Sequence, residues 1–273
     1  MLFRLRTPPP PLSHFVENLW FYQDLEVNHS KERLLPDGAM ELIIDLTESP
    51  KKLYSSRDTA RYTHYRRCWI SGMHREFLVI GAERGSSMLG ARFRTGGAAP
   101  FFGFPLSELS GTVVELDLIW KREILALRER LLEAPSIDAK FQLLEGYLLR
   151  KAESRIEPDR AVHAALGRLR TWPVLSLKGL AAELGLSQKE MISRFDARVG
   201  FTPKVVSRLF RFQKALLAVH GAGNKPVDWS DLAVECGYYD QSHFIHEFQE
   251  FSGVTPTVYA AHRTEYPFYL YLD

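Results

Sequence analysis

The stretch LAVECGYYDQSHFIHEF, residues 232–248, nearly repeats LAAELGLSQKEMISRF, residues 180–195. Leu180, Ala181, Glu183 and Gly185 recur 52 positions later as Leu232, Ala233, Glu235 and Gly237. After one inserted residue, Ile192, Phe195, Gly200, Thr202 and Pro203 recur 53 later as Ile245, Phe248, Gly253, Thr255 and Pro256. Each copy predicts a short helix, a tight turn containing Gly and a longer helix. Two copies are too few for a solenoid, which needs three or more repeats to bury a continuous core. The C-terminal part must therefore fold as a pair of equivalent supersecondary units.

The punctuation agrees between the copies. Ser176, Ser187 and Thr202 stand where helix N-caps are needed, with Pro203 ready to open the next helix, and Gly185 and Gly200 stand where helices stop. The second copy offers Gly237, Asp240, Gly253 and Thr255-Pro256 in the same places. This is the layout of a helix-turn-helix, whose second helix can enter the major groove of DNA. In the first copy Met191, Phe195 and Val199 fall on one stripe and read as core, leaving Gln188, Lys189, Ile192 and Ser193 on another face near the helix start. The same register in the second copy selects Gln241, Ser242, Ile245 and His246, with His243 beside them. Between the copies, 203–219 reads as one helix, about 26 Å long at ~1.5 Å per residue. Two reading helices on one face of DNA lie about 34 Å apart. A stiff spacer of this length, with the width of the flanking helices, would let one chain do what a symmetric dimer usually does.

The formal net charge of +2 conceals an uneven distribution. Residues 1–159 hold 22 basic and 22 acidic residues, and 160–264 hold 13 and 9. Within 187–214 the count is 7 basic against 2 acidic, which makes Lys189, Arg194, Lys204 and Arg211 candidate phosphate contacts. The second copy is acidic: 225–251 holds Lys225 against Asp228, Asp231, Glu235, Asp240, Glu247 and Glu250. Most of the affinity for DNA should then come from the first unit.

The first hundred residues read differently. AMELIIDL (39–46), FLVIGA (77–82) and SSMLGARFR (86–94) are short apolar or alternating runs between turn formers, which predicts a β-rich barrel or sandwich. From Trp120 the period changes, and WKREILALRERLLEA and IDAKFQLLEGYLLRKAE predict two amphipathic helices. A linker is expected at 154–158. The fold class is α+β: a β-rich region with two helices, 1–154, followed by an all-α region, 158–264, with two helix-turn-helix units. The longest stretch free of charged residues, 95–107, is rich in Gly and Pro and too short to span a membrane. The N-terminus lacks the apolar region and cleavage site of a signal peptide, and two cysteines without a CxxC fit a reducing, cytoplasmic setting.

Residues 158–263 resemble the DNA-binding domain of the AraC-type (arabinose-regulator) transcription factors, through LAAELGLS, SRFDARVGFTPKVV, LFRFQKALL and LAVECGYYDQSHFIHEFQEFSGVTP. Upstream, LLPDGAMELIIDL and GARFRTGGAAPFFGFP resemble a β-rich domain attached to one branch of that family. The resemblance implies a sensor followed by a DNA reader, with double-stranded DNA as partner. A small-molecule effector, RNA polymerase and a second copy of the chain are further candidate partners, and no cofactor is implied. Where many members carry Arg, this chain has Ser193 and His246, which removes the side chain that reads guanine edges most strongly.

Other chemistry is expected to be absent. His243 and His246 lie one turn apart, but no carboxylate or thiol at ligand spacing completes a metal site, and His64 and His74 each stand alone. GSSMLG (85–90) lacks the last Gly of a nucleophile elbow. Cys68, between Arg67 and Trp69, offers an enzyme alternative, an alkyl acceptor of the DNA-repair kind. For a sensor, a barrel interior flanked by Trp20, Tyr22, Phe93, Phe101 and Phe102 could hold an apolar ligand, with Glu41, Arg92 or Arg94 orienting its polar end. A third reading makes the N-terminal part a scaffold that dimerises through the helices at 120–151.

Overall fold

The computed structural model describes residues 2–152, 157–171, 176–223 and 225–272. The expected linker lies partly outside them, at 154–156. The strands are β1 (Leu2–Arg6), β2 (Val16–Gln23), β3 (Lys31–Leu34), β4 (Met40–Asp45), β5 (Lys51–Tyr54), β6 (Tyr62–Tyr65), β7 (Cys68–Ser71), β8 (Leu78–Gly81), β9 (Met88–Phe93), β10 (Val113–Glu115) and β11 (Tyr269–Leu272). The helices are α1 (Leu116–Trp120), α2 (Arg122–Glu133), α3 (Ile137–Ala152), α4 (Arg160–Thr171), α5 (Leu177–Glu183), α6 (Gln188–Arg198), α7 (Pro203–Gly221), α8 (Trp229–Glu235), α9 (Gln241–Ser252) and α10 (Pro256–His262). No helix among the described residues is long and apolar enough to cross a membrane.

Two antiparallel sheets form a sandwich, one ordered β1-β2-β9-β4-β7-β10 and the other β11-β3-β8-β5-β6. Strand β4 explains the arrangement. Its apolar run is buried on both faces, as a central strand's must be. Leu42 and Ile44 join Leu19, Phe21, Leu89, Ala91 and Phe93 in the main core. From the helices, Ile124, Leu127 and Leu131 of α2 and Phe141, Leu144 and Leu148 of α3 belong to that same core. The apolar stripes of these two helices thus pack largely into that core, while Leu132 and Leu149 stay exposed. The opposite face of β4 presents Ile43, which packs with Trp69 and Met88 and with Trp20, Tyr22 and Tyr65 between the sheets.

The C-terminal helices follow their expected caps. Ser187 and Glu190 form a capping box, Thr202 caps α7 and Asp240 caps α9. The α7 helix runs 19 residues, about 28 Å at ~1.5 Å per residue.

The two halves of the chain are held together at the backs of both units. Gly200, in a left-handed conformation after α6, accepts a 2.8 Å hydrogen bond at its carbonyl from the Ser110 hydroxyl, and a Cβ there would lie 2.3 Å from that hydroxyl oxygen. Gly253, its repeat equivalent after α9, faces the Phe77 ring, which a Cβ would approach to 2.2 Å. Arg33 stacks over Phe77 and donates to the Ser252 carbonyl at 3.2 Å. Beyond α10 the chain returns as β11 and pairs with β3, Leu270 opposite Arg33.

Candidate nucleic-acid interface

In the first unit α5 and α6 meet through a turn at Gly185 (φ 69°). The Ser187 hydroxyl accepts from the Glu190 N–H at 3.2 Å, and the Glu190 carboxylate accepts from the Ser187 N–H at 2.9 Å. That second bond, with help from the Ser187 hydroxyl, holds the Glu190 carboxyl below its ordinary pKa. Met191 and Phe195 face inward, with Val199 just beyond, all at most 2% exposed. Gln188, Lys189, Ile192 and Ser193 are exposed together, and Ile192 keeps 47% of its surface open. An exposed Ile beside Gln and Ser can meet a thymine methyl while its neighbours meet polar base edges. Lys204, in the first turn of α7, is also exposed. Arg194 leans toward Asp159, 3.4 Å away, at the start of α4.

The second unit has the same plan with different chemistry. Ser242 and His246 are exposed, and Gln241 and Ile245 are half-buried. Gln241 accepts a 3.0 Å hydrogen bond from Ser230. His243 is turned toward its own unit: Nδ1 accepts from the Tyr239 N–H at 3.3 Å, Nε2 lies 3.8 Å from Glu247, and the ring meets Tyr238 edge-on. Tyr239, absent from the expected contacts, is 89% exposed in the turn before α9. The signal available was the pair Tyr238-Tyr239, since only one of two adjacent aromatics in a turn can face the core.

Arg211 requires a correction. It is not a phosphate contact in this arrangement, because its side chain is 11% exposed and its guanidinium donates to both oxygens of Glu247, at 2.7 Å each from Nη2. Arg208 adds a 2.8 Å bond to the same carboxylate. The sequence placed Arg211 in a basic run, but a run says nothing about which way each side chain points.

The eight candidate residues of the sensor site are not brought to one pocket. Trp20, Tyr22, Glu41 and Arg92 share the inter-sheet face, whereas Phe93 points to the other face because alternate residues of a strand do so, and Phe101 and Phe102, in the 3-10 turn that follows, join it in the core on the helix side. Trp20 and Tyr22 stack on each other at 5.8 Å, with Trp20 lying in the notch left by Gly90. Arg92 is saturated by Glu17, Asp37 and Glu41 at 3.0, 2.5 and 2.9 Å. Arg94 donates instead to the Ser13 carbonyl at 2.9 Å. A cavity lined by Asp37, Glu41, Ser71, His74 and Tyr269 measures about 70 Å³, well below the ~300–1,000 Å³ of a small-molecule site.

Cys68 is 2% exposed, and burial pushes its thiol up to about 12. A thiol so seldom ionised and so enclosed cannot act as an alkyl acceptor, so the enzyme alternative fails despite the neighbouring arginines. Among the described residues no group of three His, Cys, Asp or Glu could hold a metal ion.

A β-rich region is followed by two capped helix-turn-helix units, each with an exposed polar face on its second helix, so the C-terminal part is an AraC-type helix-turn-helix DNA-binding region. Residues 180–262 match the family model described as a helix-turn-helix domain, and 4–115 match one described as a domain of unknown function (DUF6597). No curated protein matches the chain. Among solved structures, it is similar to ToxT from Vibrio cholerae, at 9% identity over 96% of this chain and 98% of that one, with a TM-score of 0.47. A ToxT structure bound to an unsaturated fatty acid gives 10% identity over 89% and 93%, with a TM-score of 0.45. A probable AraC family regulator from Rhodopseudomonas palustris gives 20% identity over 38% and 96%, with a TM-score of 0.34.

Proposed function

We propose that this chain reads two DNA half-sites about one helical turn apart, with α6 in one major groove and α9 in the next. The observation that carries the reading is the pair of open faces, Gln188, Lys189, Ile192 and Ser193 on α6 and Ser242 and His246 on α9, tied to the ends of a single 19-residue helix. The first unit supplies most of the affinity through Lys189 and Lys204, because its surroundings are basic and those of the second are acidic. The second unit contributes selectivity through Gln241, Ser242, Ile245 and His246, with Tyr239 beside them at the groove edge. His243 and Arg194 act chiefly by holding their helices in place.

Control by a small molecule bound to the N-terminal region completes the proposal. It is supported by the bonds that join that region to both units, Ser110 to Gly200 and Arg33 to Ser252, since a shift in the sandwich would reach both reading heads at once. RNA polymerase and a second copy of the chain are partners consistent with such a regulator, and a cytoplasmic setting is consistent with a DNA partner. Selection of bound sites from random duplex DNA tests the reading. Two elements about ten base pairs apart are expected; sites with one element, or none, would overturn it.

A further inference from the structure

Beyond α10 the chain crosses back to the sandwich, and residues 263–272 tie the C-terminal helices to the sheet. At the helical end, the His220 ring of α7 donates to the Thr264 carbonyl at 3.0 Å. The Tyr259 hydroxyl of α10 donates to the Pro267 carbonyl at 2.7 Å, and its ring, wholly buried, meets Phe248 of α9 at 5.7 Å. At the sheet end, the Leu35 N–H donates to the Phe268 carbonyl at 2.8 Å, and β11 then pairs with β3 from Tyr269 opposite Leu34 to Leu272 opposite Lys31. The second reading unit thus holds β3 twice: along its edge through β11, and across its face through Arg33, whose guanidinium donates to the Ser252 carbonyl at the end of α9.

The hold along the edge is short and shallow. Strand β11 has four residues and ends its sheet, so it pairs on one side only. Within it Leu270 is buried, Tyr269 is half-buried and Tyr271 is 39% exposed. Local opening costs least where few apolar groups are buried, and an edge strand of this kind opens before the strands behind it. The same segment closes the small cavity beside Glu41, which Phe268 and Tyr269 line together with Leu34 and Leu35. Withdrawing β11 removes part of that wall, and through Tyr259 it pulls on α10 and α9 in the same movement.

We propose that residues 263–272 are a releasable strap: β11 leaving β3 opens the cavity and loosens the second reading unit as one event. A molecule too large for the closed cavity holds the strap open once it has entered, and so acts on α9 rather than α6. The first unit meets the sandwich elsewhere, through Ser110 and Gly200 and through Ser107 and Asp196, and a movement confined to the strap leaves it seated. The inference deepens the proposed control of DNA binding by the N-terminal region, and rests on that reading only for its consequence at the second half-site.

The test locks the strap in the full chain. Directly opposite residues of paired strands have Cβ atoms ~4.5–5.5 Å apart, near the reach of a disulfide, so Lys31→Cys with Leu272→Cys should close the strap on oxidation. The native Cys68 and Cys236 are buried and stay out of the reaction, and the reduced form of the same variant is the control. Amide exchange should slow on oxidation in β3, β11, α10 and the end of α9 together, with α6 unchanged. Leu270→Ala should speed exchange in those same elements by at least about tenfold, since truncating a buried leucine weakens its surroundings by more than that. Either variant decides alone. If exchange in β3 and β11 changes while α9 and α10 stay constant, or if α6 changes to the same extent, the proposal is wrong. Duplexes altered in one half-site should show oxidation changing affinity at the second half-site only, and a second half-site indifferent to oxidation overturns the regulatory role. A protein that binds no duplex refutes the DNA reading instead, and the exchange result still decides the strap.

Discussion

Arg211 and Glu247 form a two-pronged ion pair that joins the connecting helix α7 to the second reading helix α9, across 36 residues of chain. The carboxylate is 3% exposed and the guanidinium 11%, so removing either partner strands a buried charge. Glu247→Ala should cost about 3 kcal/mol or more, the usual loss when one half of a buried pair is deleted. Chemical denaturation checks it, and a loss below about 1 kcal/mol, the range of exposed pairs, would show the pair to be incidental.

The same pairing separates two basic residues that look alike in the sequence. Lys189→Ala should weaken DNA binding and reduce the slope of log affinity against log salt by about one, as expected for a lost phosphate contact. Arg211→Ala should lower stability and leave that slope unchanged once the folded fraction is accounted for. Titrations at several salt concentrations distinguish them, and equal slopes for both variants would contradict the assignment.

His246→Ala should alter preference at one half-site only, by about 1–3 kcal/mol for the base it reads. Tyr239→Ala should weaken binding to the same half-site, because its ring stands in the open beside α9. Competition with half-site mutants measures both, and uniform loss across half-sites would mean that α9 does not read bases.

Gly253 and Gly185 both hold left-handed backbone, but only Gly253 has a neighbour where a Cβ would stand. Gly185→Ala should cost about 1 kcal/mol from backbone strain alone. Gly253→Ala must also displace the Phe77 ring and should cost visibly more. Phe77→Ala in the same chain should recover part of the difference. If the two single substitutions destabilise equally, the contact between Phe77 and the second unit is not holding the halves together.

His74 lies beside Ser71, 3.1 Å from its hydroxyl, and burial lowers its pKa from 6.5 to about 4. The unfolded chain therefore binds the proton first, and between pH 6.5 and 4 acidification should destabilise the fold, by up to about 3 kcal/mol at ~1.4 kcal/mol per unit. Above pH 6.5 this contribution is constant. His74→Gln should flatten the dependence of melting temperature on pH in that window; an unchanged slope would place the titration elsewhere.

Much of the C-terminal half was legible in the order of residues. Ser187, Thr202 and Asp240 cap the helices they were expected to cap, because an N-cap bond spans three residues and depends on little else. The open face of α6 followed from the spacing of Met191, Phe195 and Val199. In the N-terminal half, β4, β8 and β9 were visible as apolar runs. Strands β5 and β6 were not, since Lys51-Lys52 and Thr63-His64 carry no clear alternation and owe their pairing to each other.

The sequence alone determined the two capped reading units and the helix between them, because helical periodicity and capping are settled within a few residues of chain. Only the tertiary structure decided that Arg211 serves Glu247, that Trp20 and Phe93 lie on opposite sides of one sheet, and that β11 returns to β3. Each of these joins residues far apart in the chain. Which distant groups meet is set by how whole elements pack, and no local pattern encodes it.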